Sequence, residues 1–287
     1  MKRTAIIILN YNTSEQTIYL ATTLSTLGYY IVVVDNCSTD DSADILSRKL
    51  NLLNNCKFLC ATENGGYAKG NNIGIRYALE IKDFDYIAIM NPDIELLHDE
   101  TIENLCNALE QDENLAGITA VTILNTTLEK INPCACKLLS PRELIISDVF
   151  LLNKMVTRGY KKLTGNNKLV AYVDKIQGCF FIMKRKCFEE IGFFDENTFL
   201  YFEEDIIATK IRQKGLRLGV LLSETVRHNH GIKDGEMLNK NKRMFYNKCM
   251  LDSKKYYMLS ILHVAPFVWR ISYILDFTTR KIKDIWS

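Results

Sequence analysis

The sequence predicts an α/β fold in which a Rossmann-like, mostly parallel sheet carries helices on both faces, followed by a helical C-terminal extension. The chain has 287 residues, 47% of them hydrophobic and 24% charged. This composition suits one large globular domain or one domain with an appendage. Along the first half, short apolar runs alternate with longer stretches of helical composition. Strands this apolar are buried on both faces, which is typical of parallel sheets.

The elements of the first half can be placed in order. Each apolar run ends in polar residues, and Ser14 is a suitable N-cap for the first helix. Right-handed crossovers between the strands then produce a doubly wound half-domain. The predicted strands are 5–9, 30–34, 57–61 and 86–90, and the predicted helices are 14–27, 40–50, 67–81 and 99–109.

The second half is less regular. Residues 125–174 are polar and contain two of the four prolines. We interpret them as a variable excursion or, alternatively, as a solvated insertion without a functional role. Three regular elements follow, namely a buried strand at 175–183, a helix at 203–214 and a strand at 216–222.

Charge is unevenly distributed along the chain. The net charge of the whole chain is +2, which is too small to indicate a nucleic-acid partner. Residues 233–287, however, contain 11 Lys/Arg and 5 Asp/Glu, a net charge of +6, so the remainder is acidic. A basic C-terminal part on an acidic body indicates an anionic surface or an anionic substrate.

The extension contains one apolar stretch. Residues 258–269 are mostly apolar but include His263 and Pro266, so the stretch is too short and too interrupted to span a membrane. Its pattern predicts an amphipathic element on a membrane surface, with a basic end at 280–283. The alternative is a C-terminal helix packed on the domain or on a dimer partner.

The nine cysteines are scattered and odd in number, and several lie in strand-like runs. This usage is typical of reduced, buried thiols in a cytosolic protein. Cys134 and Cys136 have no second pair nearby, which argues against a zinc site. The apolar run 4–9 is too short for a signal peptide, so we expect none.

Polar residues follow the first two strands at the predicted carboxyl edge of the sheet. Asn10 and Asn12 follow the first strand, and Asp35 and Asn36 end the second. A carboxylate at this edge can accept a hydrogen bond from a base N–H or a ribose hydroxyl. The alternative is that the Asp35 segment only forms the turn and cap of the next helix.

A glycine-rich turn covers residues 64–72. It lacks the Gly-x-Gly-x-x-Gly pattern of dinucleotide sites, and Asn71 stands where a P-loop requires Lys. The glycines still permit close approach of the backbone to a ligand, and Lys69 could face a diphosphate. An ordinary strand-to-helix turn explains the motif equally well.

Asp93 follows the apolar strand 86–90 through Asn91-Pro92. Its carboxylate is therefore expected at the carboxyl edge, where it can hold Mg²⁺ or Mn²⁺ against a diphosphate. His228 is a candidate further ligand. The alternatives are a turn residue for Asp93 and an ordinary surface histidine for His228.

An acidic cluster, Glu203-Glu204-Asp205, begins a predicted helix behind the aromatic run 199–202. The helix dipole keeps carboxylates at this end ionised, as a general base must be. Successive helical residues point about 100° apart, so only one of the three can face a substrate directly. The alternative is an acid-rich first turn with no catalytic role.

Together these motifs resemble those of the family 2 glycosyltransferases with the A-type fold, most closely the rhamnosyltransferase-like branch of bacterial surface-polysaccharide synthesis. The likeness covers roughly residues 4–233. The matching segments, in order, are Ile8-Leu-Asn10-Tyr-Asn12, Val34-Asp35-Asn36-x-Ser38-x-Asp40, Asn64-x-Gly66-x-Ala68-x-Gly70-Asn71-Asn72, Asn91-Pro92-Asp93, Gly178 with Lys184, Ile191-Gly-Phe-Phe-Asp195-Glu196, Phe202-Glu203-Glu204 and His228-Asn-His-Gly231.

The resemblance implies an inverting, metal-dependent transferase with a dTDP- or UDP-sugar donor, a lipid-linked glycan acceptor and Mn²⁺ or Mg²⁺ as cofactor. It places Asp35 near the nucleobase, Asp93 on the metal and the general base at Glu204, with Asp205 a competitor for that role. Three positions depart from the family pattern: Asn91 replaces a first Asp, Glu204 stands where the family pair has Asp as the base, and Lys233 stands where Ser often follows the histidine turn.

The resemblance also implies an organisation and a location. Residues 1–124 form the nucleotide-binding half, 125–233 the acceptor half and 234–287 the extension. We expect a cytoplasmic enzyme at the inner face of the cell membrane, with a homodimer as a further possibility. Two other functions remain open, a silent sugar-binding subunit and a sugar nucleotidyltransferase, although the loop 10–14 lacks the glycine and lysine that the latter usually needs.

The predicted site residues fall into four groups. They are, for the donor, Asn10, Asn12, Asp35, Asn36, Asn64, Gly66, Lys69, Asn71, Asn72 and Asn91; for the acceptor, Gly178 and Asp195; for catalysis, Glu203, Glu204 and Asp205; and for the metal, Asp93 and His228.

Overall fold

The structure is a computed structural model that describes residues 3–124, 127–132, 135–149, 152, 170–229 and 240–286. The strands in these ranges are β1 Thr4–Asn10, β2 Tyr30–Asp35, β3 Cys56–Cys60, β4 Tyr86–Met90, β5 Ile94–Leu96, β6 Leu115–Leu124, β7 Thr127–Asn132, β8 Ala135–Cys136, β9 Val170–Val173, β10 Lys175–Ile176, β11 Phe180–Lys184 and β12 Arg217–His228.

Helices flank these strands. They are α1 Ser14–Thr26, α2 Ser42–Leu50, α3 Gly66–Ile81, α4 Thr101–Glu110, α5 Pro141–Ser147, α6 Arg185–Ile191, α7 Glu203–Gln213, α8 Lys240–Tyr256 and α9 Pro266–Trp286, with a π-helical turn at Tyr257–Ile261 between the last two.

One large sheet organises the domain, in the order β3-β2-β1-β4-β11-β6-β12-β5, with β7 on β6 and β9 on β12. The first four strands are parallel, as the apolar runs predict. Strand β11 is antiparallel to both neighbours, while β6 and β12 are again parallel. The predicted α/β fold with a central sheet between helices is confirmed.

Both faces of the sheet are buried. Along β1, Ile6 and Ile8 pack in the hydrophobic cluster with α1, α2 and α4, while Ile7 packs in the opposite cluster with α3, α6 and α7. Burial of each such side chain contributes about 1.5–3 kcal/mol, which explains why the strand has no polar alternation.

Glycines in α3 let this helix lie directly on β1. A Cβ at Gly70 would stand 2.5 Å from Cδ1 of Leu9, and one at Gly74 would stand 2.6 Å from Cγ2 of Ile7. Because both distances are below van der Waals contact, larger residues would push the helix away. Part of the glycine-rich motif therefore serves helix packing.

The second half departs from the predicted elements in several places. The strand expected at 175–183 is divided into β10 and β11 by a turn around Gly178, and the last predicted strand extends as β12 to His228. Helix α5 lies inside the stretch expected to be irregular. It begins with a capping box in which Ser140 and Glu143 bond each other's backbone N–H.

The C-terminal helices pack against the domain. Tyr257, Met258 and Trp269 form a buried cluster with Leu144 and Ile206. Beneath α9, the buried Asp148 carboxylate accepts from Lys254 Nζ and Ser272 Oγ. Burial outweighs these partners and raises the pKa of Asp148. One face of the extension therefore belongs to the domain core.

The opposite face of α9 is exposed. Phe267, Ile271, Ile274 and Phe277, which we call the α9 stripe, are 65%, 48%, 58% and 48% exposed. Their spacing of three and four residues places them on one side of the helix. Among the helices in the described ranges, none is long and apolar enough to cross a membrane.

Candidate active site

The carboxyl ends of three neighbouring parallel strands bring the predicted donor residues to one edge. Asn10 ends β1 and is in register with Asp35, which ends β2. Asn91 follows β4, the strand on the other side of β1. The edge is therefore built by sheet pairing, at the position where open α/β sheets bind ligands.

Asp35 is held in a fixed orientation. Its Oδ1 accepts from Asn10 Nδ2 at 2.7 Å and from the Ser38 hydroxyl, and its Oδ2 accepts from the Ser38 backbone N–H at 2.9 Å. The Asn10 amide oxygen in turn accepts from Thr17 Oγ1 at 2.8 Å. These buried bonds set the carboxylate rigidly at the sheet edge, and further lone pairs remain for a ligand.

The neighbouring asparagines shape the surrounding loops. Asn12 has a left-handed backbone, with φ of 56°, and exchanges two hydrogen bonds with Thr39. Asn36 Nδ2 donates to Asn64 Oδ1 at 3.0 Å and to the Gly66 carbonyl at 3.2 Å. Asn36 and Asn64 thus join the end of β2 to the glycine-rich turn.

Gly66 is required by a close approach. Its φ is +82°, and a Cβ there would stand 2.1 Å from the Phe199 carbonyl oxygen. The Tyr67 backbone N–H donates to that same oxygen at 2.9 Å. Only glycine fits this position, which brings the segment preceding the acidic cluster onto the donor edge.

The remaining residues of the turn make bonds within the chain. Lys69 pairs with Glu63 at the surface, and Asn71 Nδ2 donates to the Tyr67 carbonyl at 2.9 Å. The fully buried Asn72 donates to the Phe194 carbonyl at 2.9 Å and accepts from its N–H at 3.1 Å. Asn72 therefore connects α3 to the loop that contains Asp195.

Asp93 and His228 are adjacent although 135 residues separate them. His228 Nε2 lies 3.1 Å from Asp93 Oδ2, because β12 pairs with β5 so that His228 is opposite Ile94. Beside Asp93 is a cavity of about 260 Å³, lined in part by Glu15, Tyr19 and Asn229.

The donor chemistry of Asp93 and His228 fits a partial ligand set for a divalent cation. A carboxylate oxygen suits Mg²⁺ and Mn²⁺, and imidazole is a common ligand of transition metals. Within the described ranges, no group of three or more His, Cys, Asp or Glu side chains could hold a metal ion. Substrate phosphate oxygens and water could complete the coordination.

The three acids of the cluster lie in different environments. Glu203 and Asp205 are buried, whereas Glu204 is partly exposed. Asp205 Oδ2 lies 2.7 Å from Lys175 Nζ. Among the described residues no ion pair involves Glu204, whose Oε1 instead accepts from the Gly178 N–H at 3.0 Å. Glu204 is thus the acid best placed to accept a proton.

A strained turn immediately before α7 orients the acidic cluster. Tyr201 and Phe202, immediately before α7, both have left-handed backbones, with φ of 75° and 68°. Such conformations cost about 1–3 kcal/mol each for non-glycine residues and persist only where the surroundings impose them. The Phe202 ring is held against Tyr257, with centroids 5.4 Å apart, so the extension supports the turn.

Glu203 is a buried carboxyl beside the other two acids. It is 4% exposed, and its Oε1 has no hydrogen-bond partner among the described residues. Burial, together with the negative charge of Glu204, raises the pKa of Glu203 to about 8. Burial at this position therefore favours the protonated form of Glu203.

A short backbone connection links the segments that contain Asp93 and Glu204. Strand β4 pairs with β11 so that Met90 is opposite Phe180. The pairing continues as the Asn91 N–H donates to the Cys179 carbonyl at 2.8 Å, and Gly178, next to Cys179, bonds Glu204. Asp93 and Glu204 therefore belong to the same end of the same strand pair.

Asp195 lies further along this surface. Its Oδ1 accepts from the Asn197 side chain at 2.8 Å, and its Oδ2 accepts from the Tyr256 hydroxyl at 3.0 Å. Burial alone would raise the pKa of Asp195, but the hydrogen bonds from Asn197 and Tyr256 lower it. These bonds attach the Asp195 loop to α8, and its acceptor role stays a prediction.

Some residues named from the sequence lie outside the described ranges, namely His230, Gly231 and Lys233. Conversely, the sequence analysis missed Tyr67 and Lys175, which contact the acidic cluster directly or through Gly178. No signal in the sequence connects Lys175 to Asp205, because their contact depends on the small β8–β10 sheet.

This chain resembles known proteins in sequence and in fold. The sequence profile of the family described as "Glycosyl transferase family 2" matches residues 5–192, a range that includes Asp35, Asp93 and Gly178. The chain belongs to glycosyltransferase family 2. The family predicted from the motifs is confirmed, and the chain is a glycosyltransferase.

A curated relative supports this assignment. The low-salt glycan biosynthesis hexosyltransferase Agl10 of Haloferax volcanii is 27% identical over 228 residues, which cover 79% of this chain and 67% of the relative.

Solved structures share the fold. The mannosyltransferase PcManGT from Pyrobaculum calidifontis, in complex with GDP-Man and Mn²⁺, has a TM-score of 0.59 and 16% identity, covering 96% of this chain and 74% of that one. GalNAc-T7 with UDP, GalNAc and Mn²⁺ has a TM-score of 0.60 and 17% identity, covering 80% and 44%. S. aureus TarS 1–349 has a TM-score of 0.52 and 14% identity, covering 91% and 73%.

We predict a pH-dependent stability that depends on Glu203. The native carboxyl keeps its proton up to about pH 8, whereas the unfolded one loses it near its ordinary pKa of about 4.3. Between these values the native state binds more protons, so stability falls as pH rises, by up to about 1.4 kcal/mol per pH unit.

Denaturant unfolding of wild type and Glu203→Gln between pH 5.5 and 8.5 measures this effect. The variant should lose most of the slope, while Glu80→Gln on the exposed side of α3 should keep it. Equal slopes in wild type and Glu203→Gln would contradict the assignment.

Proposed function

We propose that the protein transfers a sugar from a nucleoside-diphosphate donor to a glycan hydroxyl with inversion, and that Glu204 is the general base. The observation that carries this proposal is the environment of the acidic cluster. Asp205 is neutralised by Lys175, and Glu203 is buried, which raises the pKa of its carboxyl. Glu204 alone is partly exposed, and it is fixed by the Gly178 N–H.

In this mechanism the chain's own residues have separate tasks. Asp35, oriented by Asn10 and Ser38, receives the nucleoside. Asp93 and His228 would hold Mn²⁺ or Mg²⁺, which when bound stabilises the negative charge of the leaving diphosphate. Glu204 takes the proton from the acceptor hydroxyl as that oxygen attacks the anomeric carbon from the side opposite the leaving group.

The proposed donor is a UDP- or dTDP-linked hexose or deoxyhexose. Rhamnose is one such sugar. The relative Agl10 is a hexosyltransferase, and two fold neighbours hold Mn²⁺ with GDP-Man or with UDP and GalNAc. These findings favour a nucleotide-sugar donor and a divalent cation here.

We further propose that the enzyme acts on a lipid-linked glycan at the cytoplasmic face of the membrane, with the α9 stripe resting on the bilayer. The stripe presents four large apolar side chains to solvent, and Arg280, Lys281 and Lys283 follow it in the sequence. Apolar side chains flanked by basic residues fit the surface of an anionic bilayer.

Glu204→Gln tests the catalytic proposal. Removing the base should lower turnover by at least about 100-fold while donor binding persists, because the base acts on the acceptor. Turnover can be followed as nucleoside diphosphate released from UDP-, dTDP- and GDP-hexoses with Mn²⁺. Asp205→Asn is the matched variant in the same helical turn. It should lower the Tm, because Lys175 loses its charged partner, and it should change turnover little.

Near-normal turnover by a folded Glu204→Gln enzyme would remove Glu204 from this role. Loss of turnover in Asp205→Asn at an unchanged Tm would instead assign the base to Asp205.

The double variant Phe267→Ser/Ile274→Ser tests the membrane proposal. Losing two apolar side chains from the stripe should weaken sedimentation with phosphatidylglycerol-containing vesicles at least about tenfold. Leu52→Ser, at a position 78% exposed elsewhere, is the control and should sediment like wild type. Unchanged sedimentation of the double variant would contradict the proposal, and a change from dimer to monomer would assign the stripe to a second copy of the chain.

A further inference from the structure

The side chain of Tyr67 reaches from the first turn of α3 to the turn before β11. Its hydroxyl donates to the Gly178 carbonyl oxygen at 2.6 Å, and the N–H of Gly178 donates to Glu204 Oε1 at 3.0 Å. Two hydrogen bonds, both made by the backbone of Gly178, therefore link Tyr67 on α3 to the Glu204 carboxylate at the beginning of α7.

The glycine is necessary for this arrangement. A Cβ at Gly178 would stand 2.9 Å from Glu204 Oε1 and 3.1 Å from the Tyr67 hydroxyl oxygen. Any larger residue would therefore have to displace one or both of the groups that Gly178 holds.

Tyr67 is itself well fixed. Its backbone N–H donates to the Phe199 carbonyl at 2.9 Å, and its own carbonyl accepts from Asn71 Nδ2 at 2.9 Å. Its ring packs edge-on against Phe194, with centroids 5.6 Å apart. Burial, together with the negative charge of Glu204, raises the pKa of Tyr67 far above its ordinary value, so the hydroxyl remains a donor.

We propose that Tyr67 is a positioning residue for the general base: its hydroxyl fixes Gly178, whose amide holds Glu204 Oε1 so that Oε2 takes the proton. This inference rests on the proposed function, which makes Glu204 the base. A carboxylate held through one oxygen presents the other at a defined place, and misplacement of a catalytic group by about 1 Å costs on the order of 100-fold in rate.

The pH profile of turnover is a second readout of the bond between Gly178 and Glu204. A backbone donor to a carboxylate favours its ionised form. The titratable groups around Glu204 are Glu203 and Asp205 on α7, Lys175 on β10, Tyr67 on α3 and the Cys179 thiol before β11. A substitution that only removes the Tyr67 hydroxyl leaves all the other charges in place, so a change in the pH profile would report on the Gly178 bond.

Tyr67→Phe is the test, because it keeps the ring packing and removes only the hydroxyl. We expect kcat for donor hydrolysis with Mn²⁺ to fall about 10- to 100-fold, with the donor KM within about twofold of wild type. The acidic limb of the kcat profile should move to higher pH.

Tyr257→Phe is the matched control. It removes another buried hydroxyl contact, 2.9 Å from Thr209 Oγ1, and should lower the Tm without moving the pH profile. A folded Tyr67→Phe enzyme with wild-type kcat and pH profile would overturn the proposal.

If Tyr67→Phe does not fold, Gly178→Ala provides the second test. Its methyl group should displace Glu204 Oε1 and produce the same loss of kcat and the same shift in pH profile, and wild-type behaviour would overturn the proposal. The role of Glu204 as the base and the role of Tyr67 can be tested separately. Normal turnover in Glu204→Gln defeats the proposed function, whereas an inactive Glu204→Gln with a normal Tyr67→Phe defeats only the role of Tyr67.

Discussion

The antiparallel pairing of β4 with β11 is the constraint on which the site depends. It carries the hydrogen bond between Asn91 and Cys179, so the loop to Asp93 and the turn at Gly178 leave the sheet at the same point. The Gly178 amide then reaches Glu204. A slip of one residue in this register would turn Gly178 away from the acid and reverse every side chain of β11. Asp93 and Glu204 are far apart in the sequence, and the ordinary pairing of two strands brings their segments to the same end of the sheet.

Environment, more than residue type, distinguishes the three clustered acids. Asp205 has a lysine partner, Glu203 is buried with no hydrogen-bond partner for its Oε1 among the described residues, and Glu204 has a backbone donor and partial exposure. Two neighbouring carboxylates with different surroundings are the usual means by which a protein keeps one protonated and the other ionised. The burial of Glu203 raises the pKa of its carboxyl and so limits the negative charge next to Glu204.

Much of the first half could be predicted from the sequence, because apolar runs buried on both faces of a sheet leave a clear pattern and Asn10, Asp35 and Asp93 follow directly from strand ends. The contacts of the second half could not. Lys175 and Tyr67 reach the acidic cluster through turns whose geometry depends on Gly178, on the left-handed Tyr201 and Phe202, and on the packing of Phe202 against Tyr257 in the π-helical turn. Contacts between residues far apart in the sequence leave no periodic pattern from which they could be predicted. The capping box of α5, for example, predicts the start of that helix but not what the helix packs against.

The most direct test of the central claim, that Asp93 serves the donor diphosphate while Glu204 serves the acceptor, is calorimetric titration with UDP, dTDP and GDP in the presence of Mn²⁺. The account predicts that Glu204→Gln binds the preferred nucleotide within about threefold of wild type, whereas Asp93→Asn loses at least about tenfold in Mn²⁺-dependent affinity. Unchanged binding by Asp93→Asn, or an equal loss in both variants, would contradict this division of roles.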